Sequence, residues 1–161
     1  MLDVRRLIYL HGLESTSQSG KARRFAGRFP GVLTPDFTGS FAERMKQLRP
    51  ILGESSGWTI IGSSYGGLMG TAFAHDHPGQ VRKLVLLAPA IILPEFSARP
   101  DLKPVDVPTV LIHGRQDEVV PAEAVRILAE RIFTHLDYIP VDDDHRLHKT
   151  FEAMDWEKIL A

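Results

Sequence analysis

Apolar residues are concentrated in short unbroken runs, most of them bounded by glycine or proline. Four of these runs predict strands buried on both faces of a sheet, at residues 6–12, 58–64, 81–90 and 109–117. A fifth run, residues 135–144, is more polar and predicts a strand nearer an edge.

The segments between these runs carry apolar residues at helical spacing. They predict helices over residues 17–29, 40–55, 65–78, 121–133 and 147–160, with Pro50 bending or shortening the second. The alternation of strand and helix predicts an α/β fold, a three-layer α/β/α sandwich around a mostly parallel, doubly wound sheet. No linker or repeat interrupts it, so we expect residues 1–161 to form one domain.

Glycines surround the second of two serines that end the second predicted strand. Residues 62–66 read Gly-Ser-Ser-Tyr-Gly, which fits G-x-S-x-G centred on Ser64, between a strand and a helix. A serine held above a sheet needs a very tight turn with tiny residues two places before and after it. Ser64 is therefore the candidate nucleophile, Ser63 is expected to point sideways into adjoining strands, and the Tyr65 N–H is a candidate oxyanion donor. The alternative is an ordinary glycine-rich turn.

A serine becomes an effective nucleophile only when a base takes its proton. Of the seven histidines, His145 lies in the loop after the last strand, and His148, expected to face solvent, is the alternative. His75 and His77 are expected at the exposed end of a helix. A zinc site built from His145, His148 and the neighbouring aspartates also stays open, although no third histidine follows at matching spacing.

A carboxylate must orient the base. Asp117 follows the fourth strong strand, where Gly114 lets the chain turn, and Glu118 is the runner-up. The rival interpretation is that Asp117 only caps the next helix. The second oxyanion donor is predicted to be the N–H of Leu13, in a loop that His11 holds in place.

These motifs together resemble the α/β-hydrolase superfamily, and the likeness covers nearly the whole chain. "YLHGL" is similar to the oxyanion loop, "GSSYGG" to the nucleophile elbow, "IHGRQDEVVP" to the acid segment and "DDDHRL" to the histidine loop. The closest likeness is to small bacterial esterase-like members. The chain begins at what resembles the third strand of larger members, and only residues 91–108 stand where many insert a helical cap.

The resemblance implies hydrolysis of a small-molecule acyl ester or thioester through an acyl-enzyme, with Ser64, Asp117 and His145 as the triad. Neither a metal nor an organic cofactor is required. The segment 91–108 holds four prolines in 18 residues, and loops of that length often flank a binding site. Its residues Ile91, Ile92, Leu93 and Phe96 are candidates for an apolar substrate wall, or alternatively for the core beneath it.

Composition narrows the class of protein further. With 19 basic and 20 acidic residues the net charge is −1, so we expect no nucleic acid and no anionic membrane as partner. The basic cluster of residues 21–28 is expected to be a solvated helix face. The chain has no cysteine, which excludes disulfides and thiolate catalysis. The first residues show neither a long apolar segment nor a cleavage signal, so a cytoplasmic protein is expected.

Three rival functions compete with ester hydrolysis. A non-catalytic or weakly catalytic ligand- or protein-binding member of the same scaffold is the main alternative. A nucleotide-binding Rossmann protein would need G-x-G-x-x-G after the first strand, where the chain reads "HGLEST". Dehalogenation would need an aspartate nucleophile, whereas carbon–carbon cleavage stays open. Oligomeric state and acyl length are not predicted.

Overall fold

The computed structural model describes residues 2–161, and its centre is a five-stranded sheet with every neighbouring pair parallel. The strands lie side by side in chain order: β1 (Leu7–Leu10), β2 (Trp58–Ser63), β3 (Val81–Leu87), β4 (Thr109–Gly114) and β5 (Leu136–Val141). All residues of β1, β2 and β4 are buried, whereas β5 is half-exposed at one edge. The predicted strands, including the polar edge strand, are confirmed.

Helices cover both faces of this sheet. They are α1 (Gly20–Arg28), α2 (Phe41–Leu52), α3 (Tyr65–Asp76), α4 (Pro94–Ser97), α5 (Ala122–Ile132), α6 (His148–Ala153) and α7 (Trp156–Leu160). Alternate side chains of β1 belong to different apolar clusters: Ile8 and Leu10 to one that includes residues of α2, α3 and α5, and Leu7 and Tyr9 to one that includes residues of α1, α6 and α7. The sheet is therefore the middle of three layers, as predicted.

The winding of the chain places a crevice above β1 and β2. After β1 and α1, the chain forms an isolated parallel bridge between Leu33 and Ile8 on the outer side of β1. It then returns through α2 to the opposite side of β1, where β2 begins. Consecutive connections that run in opposite directions put helices on opposite faces and open a crevice at the carboxyl ends of the strands.

Two helical predictions need correction. The predicted helix over 147–160 is two helices, because the chain leaves helical geometry at Met154 and Asp155 accepts a hydrogen bond from the Lys158 N–H to start α7. The segment 91–108, predicted to be irregular, contains α4 and a bridge between Val105 and Phe133. Among residues 2–161, no helix combines the length and the apolar character needed to cross a membrane.

Candidate active site

Ser64 occupies the sharp turn between β2 and α3, in a backbone conformation that only a few non-glycine residues adopt. Its φ is 54° and its ψ is −110°. Hydrogen bonds on both sides hold it there: its N–H donates to the Leu87 carbonyl at 2.9 Å, and its carbonyl accepts from the N–H groups of Gly67 and Ala90, both at 2.9 Å. Strain of this kind persists only where the surroundings over-determine the conformation.

The glycines around Ser64 are required by close backbone contacts. A Cβ atom on Gly62 would lie 2.5 Å from the Gly66 carbonyl oxygen. A Cβ atom on Gly66 would overlap the Leu10 carbonyl and lie 2.8 Å from that of His11. The turn therefore fits only with glycine at both positions, as the spacing predicted.

Ser64, His145 and Asp117 form a continuous hydrogen-bonded chain. The Nε2 atom of His145 lies 3.1 Å from Ser64 Oγ, and its Nδ1 atom lies 2.7 Å from Asp117 Oδ2. Because a carboxylate only accepts, it holds the imidazole proton on Nδ1 and leaves Nε2 free to accept from the serine hydroxyl. The structure thus brings together the three residues that lie 53 and 28 positions apart along the chain.

Local contacts fix the carboxylate and bring its loop to the histidine. Asp117 Oδ1 accepts from the N–H groups of Val119 and Val120, at 2.8 and 2.7 Å, and its side chain is fully buried. Gly114, which ends β4, approaches the histidine loop so closely that a Cβ atom there would lie 2.7 Å from the Asp144 carbonyl oxygen. Glu118, the runner-up acid, is exposed, and so is His148, the alternative base.

A second histidine contacts the same carboxylate oxygen of Asp117 as His145 does. The Nε2 atom of His113 lies 3.1 Å from Asp117 Oδ2 and 2.9 Å from the Val120 carbonyl oxygen. Both neighbours are acceptors, so Nε2 carries the proton. Its Nδ1 atom is buried without a partner among the described residues. Burial lowers the pKa of His113 below its ordinary value, against the opposing effects of the Val120 carbonyl and the Asp117 carboxylate.

This buried imidazole predicts a loss of stability in mild acid. Between the lowered folded pKa and the unfolded value near 6.5, the unfolded chain binds the extra proton, so stability falls as pH drops through that window. One such group changes the free energy of unfolding by up to about 1.4 kcal/mol per pH unit. Urea unfolding of His113→Gln at pH 5 to 7.5 should show a shallower pH dependence than the wild type. His148→Gln is the surface control, and parallel curves for wild type and His113→Gln would exclude this origin.

The two predicted oxyanion donors are unengaged. Among residues 2–161, neither the Tyr65 nor the Leu13 N–H donates to a protein acceptor. The Leu13 loop is fixed by His11, whose Nδ1 lies 2.7 Å from the Gly12 carbonyl oxygen and whose Nε2 accepts from the Phe37 N–H at 2.9 Å. Arg44 donates to the Leu13 carbonyl at 3.3 Å. His11 thus has the structural place that the sequence predicted.

Ser64 and His145 open into a cavity of about 700 Å³. Its large aliphatic lining residues, here called the apolar wall, are Leu13, Ile92, Leu93, Val119 and Val120. The prediction for Ile92 agrees with its position at the cavity. Ile91 and Phe96 have no exposed surface and pack in the core between the sheet and its helices, so the prediction that they line the cavity is wrong.

Two other positions differ from the sequence-based expectation. Lys21, predicted to lie on a solvated face, lines the cavity, where its Nζ donates to Ser63 Oγ at 3.2 Å and to the Arg146 carbonyl at 2.8 Å. His75, predicted to be exposed, is buried and accepts a hydrogen bond from the Lys103 N–H. The segment after α4 covers it, and nothing in the local sequence signals that long-range contact.

Two residues of the site are not identified by the sequence patterns. His113 is predicted only as the end of a strand, and Val119 is not assigned to the site, whereas Leu93, predicted as a candidate for the apolar substrate wall, does line the cavity. The run "IHGRQD" does carry a signal for His113. A histidine at the end of a strand can contact the carboxylate of an aspartate four residues later, across the turn. Within residues 2–161 no group of three or more histidine or carboxylate side chains is arranged to hold a metal ion.

Comparison with solved structures places this architecture among hydrolases. A candidate hydrolase of the alpha/beta superfamily from Xanthomonas campestris pv. campestris is 26% identical, with a TM-score of 0.71 and coverage of 91% of both chains. Mouse alpha/beta hydrolase domain-containing protein 10 is 19% identical, with a TM-score of 0.74, covering 94% of this chain and 88% of that one. The monoacylglycerol lipase of Paleococcus ferrophilus is 17% identical, with a TM-score of 0.69 and coverages of 96% and 93%.

Sequence comparison with protein families gives the same result. No curated protein matches the chain. The family model described as alpha/beta hydrolase fold matches residues 15–106, more than half of the chain, including the elbow around Ser64. The chain therefore belongs to the alpha/beta hydrolase fold family.

Proposed function

We propose that this hydrolase cleaves a carboxylic ester or thioester through an acyl-enzyme formed on Ser64. The observation that carries the proposal is the hydrogen-bonded chain from Ser64 Oγ through His145 to Asp117, with distances of 3.1 and 2.7 Å. Such a chain activates a hydroxyl that is otherwise a weak nucleophile. The two free N–H groups beside it, of Leu13 and Tyr65, add the donors that acyl transfer needs.

The reaction follows from these positions. His145 Nε2 takes the hydroxyl proton as Ser64 Oγ bonds to the substrate carbonyl carbon, and the carbonyl oxygen becomes an oxyanion bound by the N–H groups of Leu13 and Tyr65. The tetrahedral intermediate then expels the alkoxide or thiolate, which receives the proton from His145. Water repeats the two steps on the acyl-enzyme and releases the acid. Loss of one oxyanion donor typically slows such reactions about 100–1000-fold.

The apolar wall is evidence that the part of the substrate that packs beside Ser64 is an acyl group. Five large apolar residues are exposed among residues 2–161, and three of them, Leu13, Leu93 and Val119, belong to this wall. An exposed apolar patch at a cavity mouth is typical of a ligand-binding surface. The lipase from Paleococcus ferrophilus, similar in fold, also carries an ester-cleaving name.

The proposal is tested with activated esters and thioesters of graded acyl length, together with a fluorophosphonate probe. We expect turnover of at least one acyl series and covalent labelling of Ser64, located by mass spectrometry of the labelled peptide. A folded protein that neither turns over these substrates nor reacts with the probe would instead favour the ligand- or protein-binding alternative.

Asp117→Asn is expected to lower kcat/KM by on the order of 10³–10⁴-fold. The amide can donate to Nδ1, which moves the imidazole proton to Nε2 and removes the acceptor that Ser64 needs. Glu118→Gln is the matched control, because it removes one carboxylate at the neighbouring, exposed position. Esterase assays on both purified variants test the assignment. If Glu118→Gln loses more activity than Asp117→Asn, the assignment of the acid is wrong.

A further inference from the structure

The cavity beside Ser64 is lined by basic groups that ester hydrolysis alone does not require. Besides His145, its cationic or imidazole lining residues are Lys21, Arg146 and His148, here called the basic wall. The one carboxylate that lines the cavity among the described residues is Glu14. The protein as a whole has a net charge of −1, whereas the cavity lining holds more basic than acidic side chains, with Asp144 and Asp143 close enough to act on Lys21 by charge.

Lys21 is held in place and retains donor capacity. Its Nζ atom donates to Ser63 Oγ at 3.2 Å and to the Arg146 carbonyl at 2.8 Å, and an ammonium group carries three donors. Among residues 2–161 no third acceptor contacts Nζ. The half-buried side chain thus presents an oriented cation to the cavity, where charge interactions are stronger than in open solvent.

Two members of the basic wall belong to the segment that carries His145, and the third is hydrogen-bonded to that segment. Arg146 and His148 follow His145 by one and three residues, and Lys21 bonds to the Arg146 carbonyl. In acyl transfer the histidine that activates the serine also protonates the leaving group, which must therefore lie next to His145. The apolar wall comes from the Leu13 loop, from the start of residues 91–108, and from Val119 and Val120, which follow Asp117.

We propose that the leaving group of the natural substrate is an anionic alcohol or thiol, bearing a carboxylate or a phosphate that binds Lys21, Arg146 and His148. The acyl group is neutral and packs on the apolar wall. This inference rests on the proposed ester or thioester hydrolysis and adds the charge of the substrate to it.

The test compares pairs of acetate esters in which one substituent of the leaving group is either anionic or neutral. The first pair is the acetate esters of 3-hydroxybenzoate and of 3-hydroxybenzamide. The second pair is 3-acetoxyphenyl phosphate and its dimethyl ester, so that carboxylate and phosphate are tested separately. Phenyl hydrogen adipate and phenyl methyl adipate place the charge on the acyl side instead. We expect kcat/KM to favour at least one anionic leaving group by about tenfold, as a charge-assisted contact at a partly exposed site gives. No preference, or a preference only for the acyl-side anion, would overturn the proposal.

Variants assign the preference to the basic wall. For each ester pair, the ratio of kcat/KM for the anionic ester to that for the neutral ester is expected to fall several-fold in Lys21→Met and Arg146→Gln. The ratio is used because a general loss of activity affects both esters equally and cancels. Arg23→Gln removes an exposed charge from α1 outside the cavity and is the matched control. A ratio unchanged in both basic-wall variants would overturn the assignment.

Binding to an inactive variant separates this proposal from the reaction itself. In Ser64→Ala, titration calorimetry should show tighter binding of 3-hydroxybenzoate or of 3-hydroxyphenyl phosphate than of 3-hydroxybenzamide. Equal binding of all three would exclude an anion site even if esters are hydrolysed. Conversely, selective anion binding in a protein that hydrolyses no ester would support the anion site and contradict the proposed ester or thioester hydrolysis.

Discussion

Replacing Ser64 by alanine is expected to lower kcat/KM for activated esters by on the order of 10⁴-fold or more. The substitution deletes the only oxygen that lies 3.1 Å from His145 Nε2, so neither the nucleophile nor its proton remains. The Cβ atom and the backbone are unchanged. We therefore expect the free energy of unfolding to change by no more than about 1 kcal/mol, the worth of one hydrogen bond.

A matched pair of variants makes this result specific to Ser64. Ser63→Ala removes the neighbouring hydroxyl, which accepts from Lys21, and should still react with a fluorophosphonate probe at Ser64. Ser64→Gly should be as inactive as Ser64→Ala but more stable, by about 1 kcal/mol, because glycine adopts the φ of 54° without strain. Hydrolysis and labelling that survive Ser64→Ala but disappear in Ser63→Ala would refute the assignment of the nucleophile.

Gly66→Ala is expected to lower the free energy of unfolding by more than about 4 kcal/mol, an exceptional value for one methyl group. The added Cβ atom would overlap the Leu10 carbonyl and lie 2.8 Å from that of His11. Both obstacles are backbone atoms of β1 and its following loop, which cannot move aside as a flexible side chain can. At this chain length the loss corresponds to a fall in Tm of more than about 10 °C.

Gly27→Ala is the control for this second prediction. Gly27 lies in α1, and a Cβ atom added there would have no atom within 4 Å outside its own helix backbone and chain neighbours. Alanine at this position should raise stability by about 0.5–1 kcal/mol, because it restricts the unfolded chain and favours helix. Thermal unfolding followed by circular dichroism compares the two variants. A Gly66→Ala protein that melts like the wild type would show that α3 does not contact β1 as closely as described.

The strands and the order of the site residues could be predicted from the sequence because they follow from local and periodic properties. A strand covered by helices on both faces must be apolar at nearly every position, and β1, β2 and β4 are fully buried. The spacing of Gly62, Ser64 and Gly66 is itself a steric requirement of the turn. Asp117 and His145 both follow parallel strands, whose carboxyl ends share one edge of the sheet. The roles of these residues in hydrolysis stay predictions.

Only the tertiary structure decided which partner each polar or apolar group meets. Lys21, Arg24 and Arg28 lie on one face of α1 by their spacing, yet Arg24 pairs with Glu152, Arg28 pairs with Glu157, and Lys21 reaches the cavity. The difference arises from where α6, α7 and the histidine loop cross that face. Such crossings depend on contacts more than one hundred residues apart, which helical periodicity does not encode.

The same reason separates the apolar residues of the site. Ile91, Phe96 and Leu93 belong to one apolar stretch, but the first two are fully buried in the core and Leu93 reaches the apolar wall. The alternation of strands and helices determined that the elbow, the acid and the histidine meet at one edge of the sheet, but it left open whether residues 91–108 pack in the core or face the cavity. Which side chains cover the core and which face the substrate depends on the three-dimensional path of residues 91–108, because burial is a property of the neighbours and not of the residue.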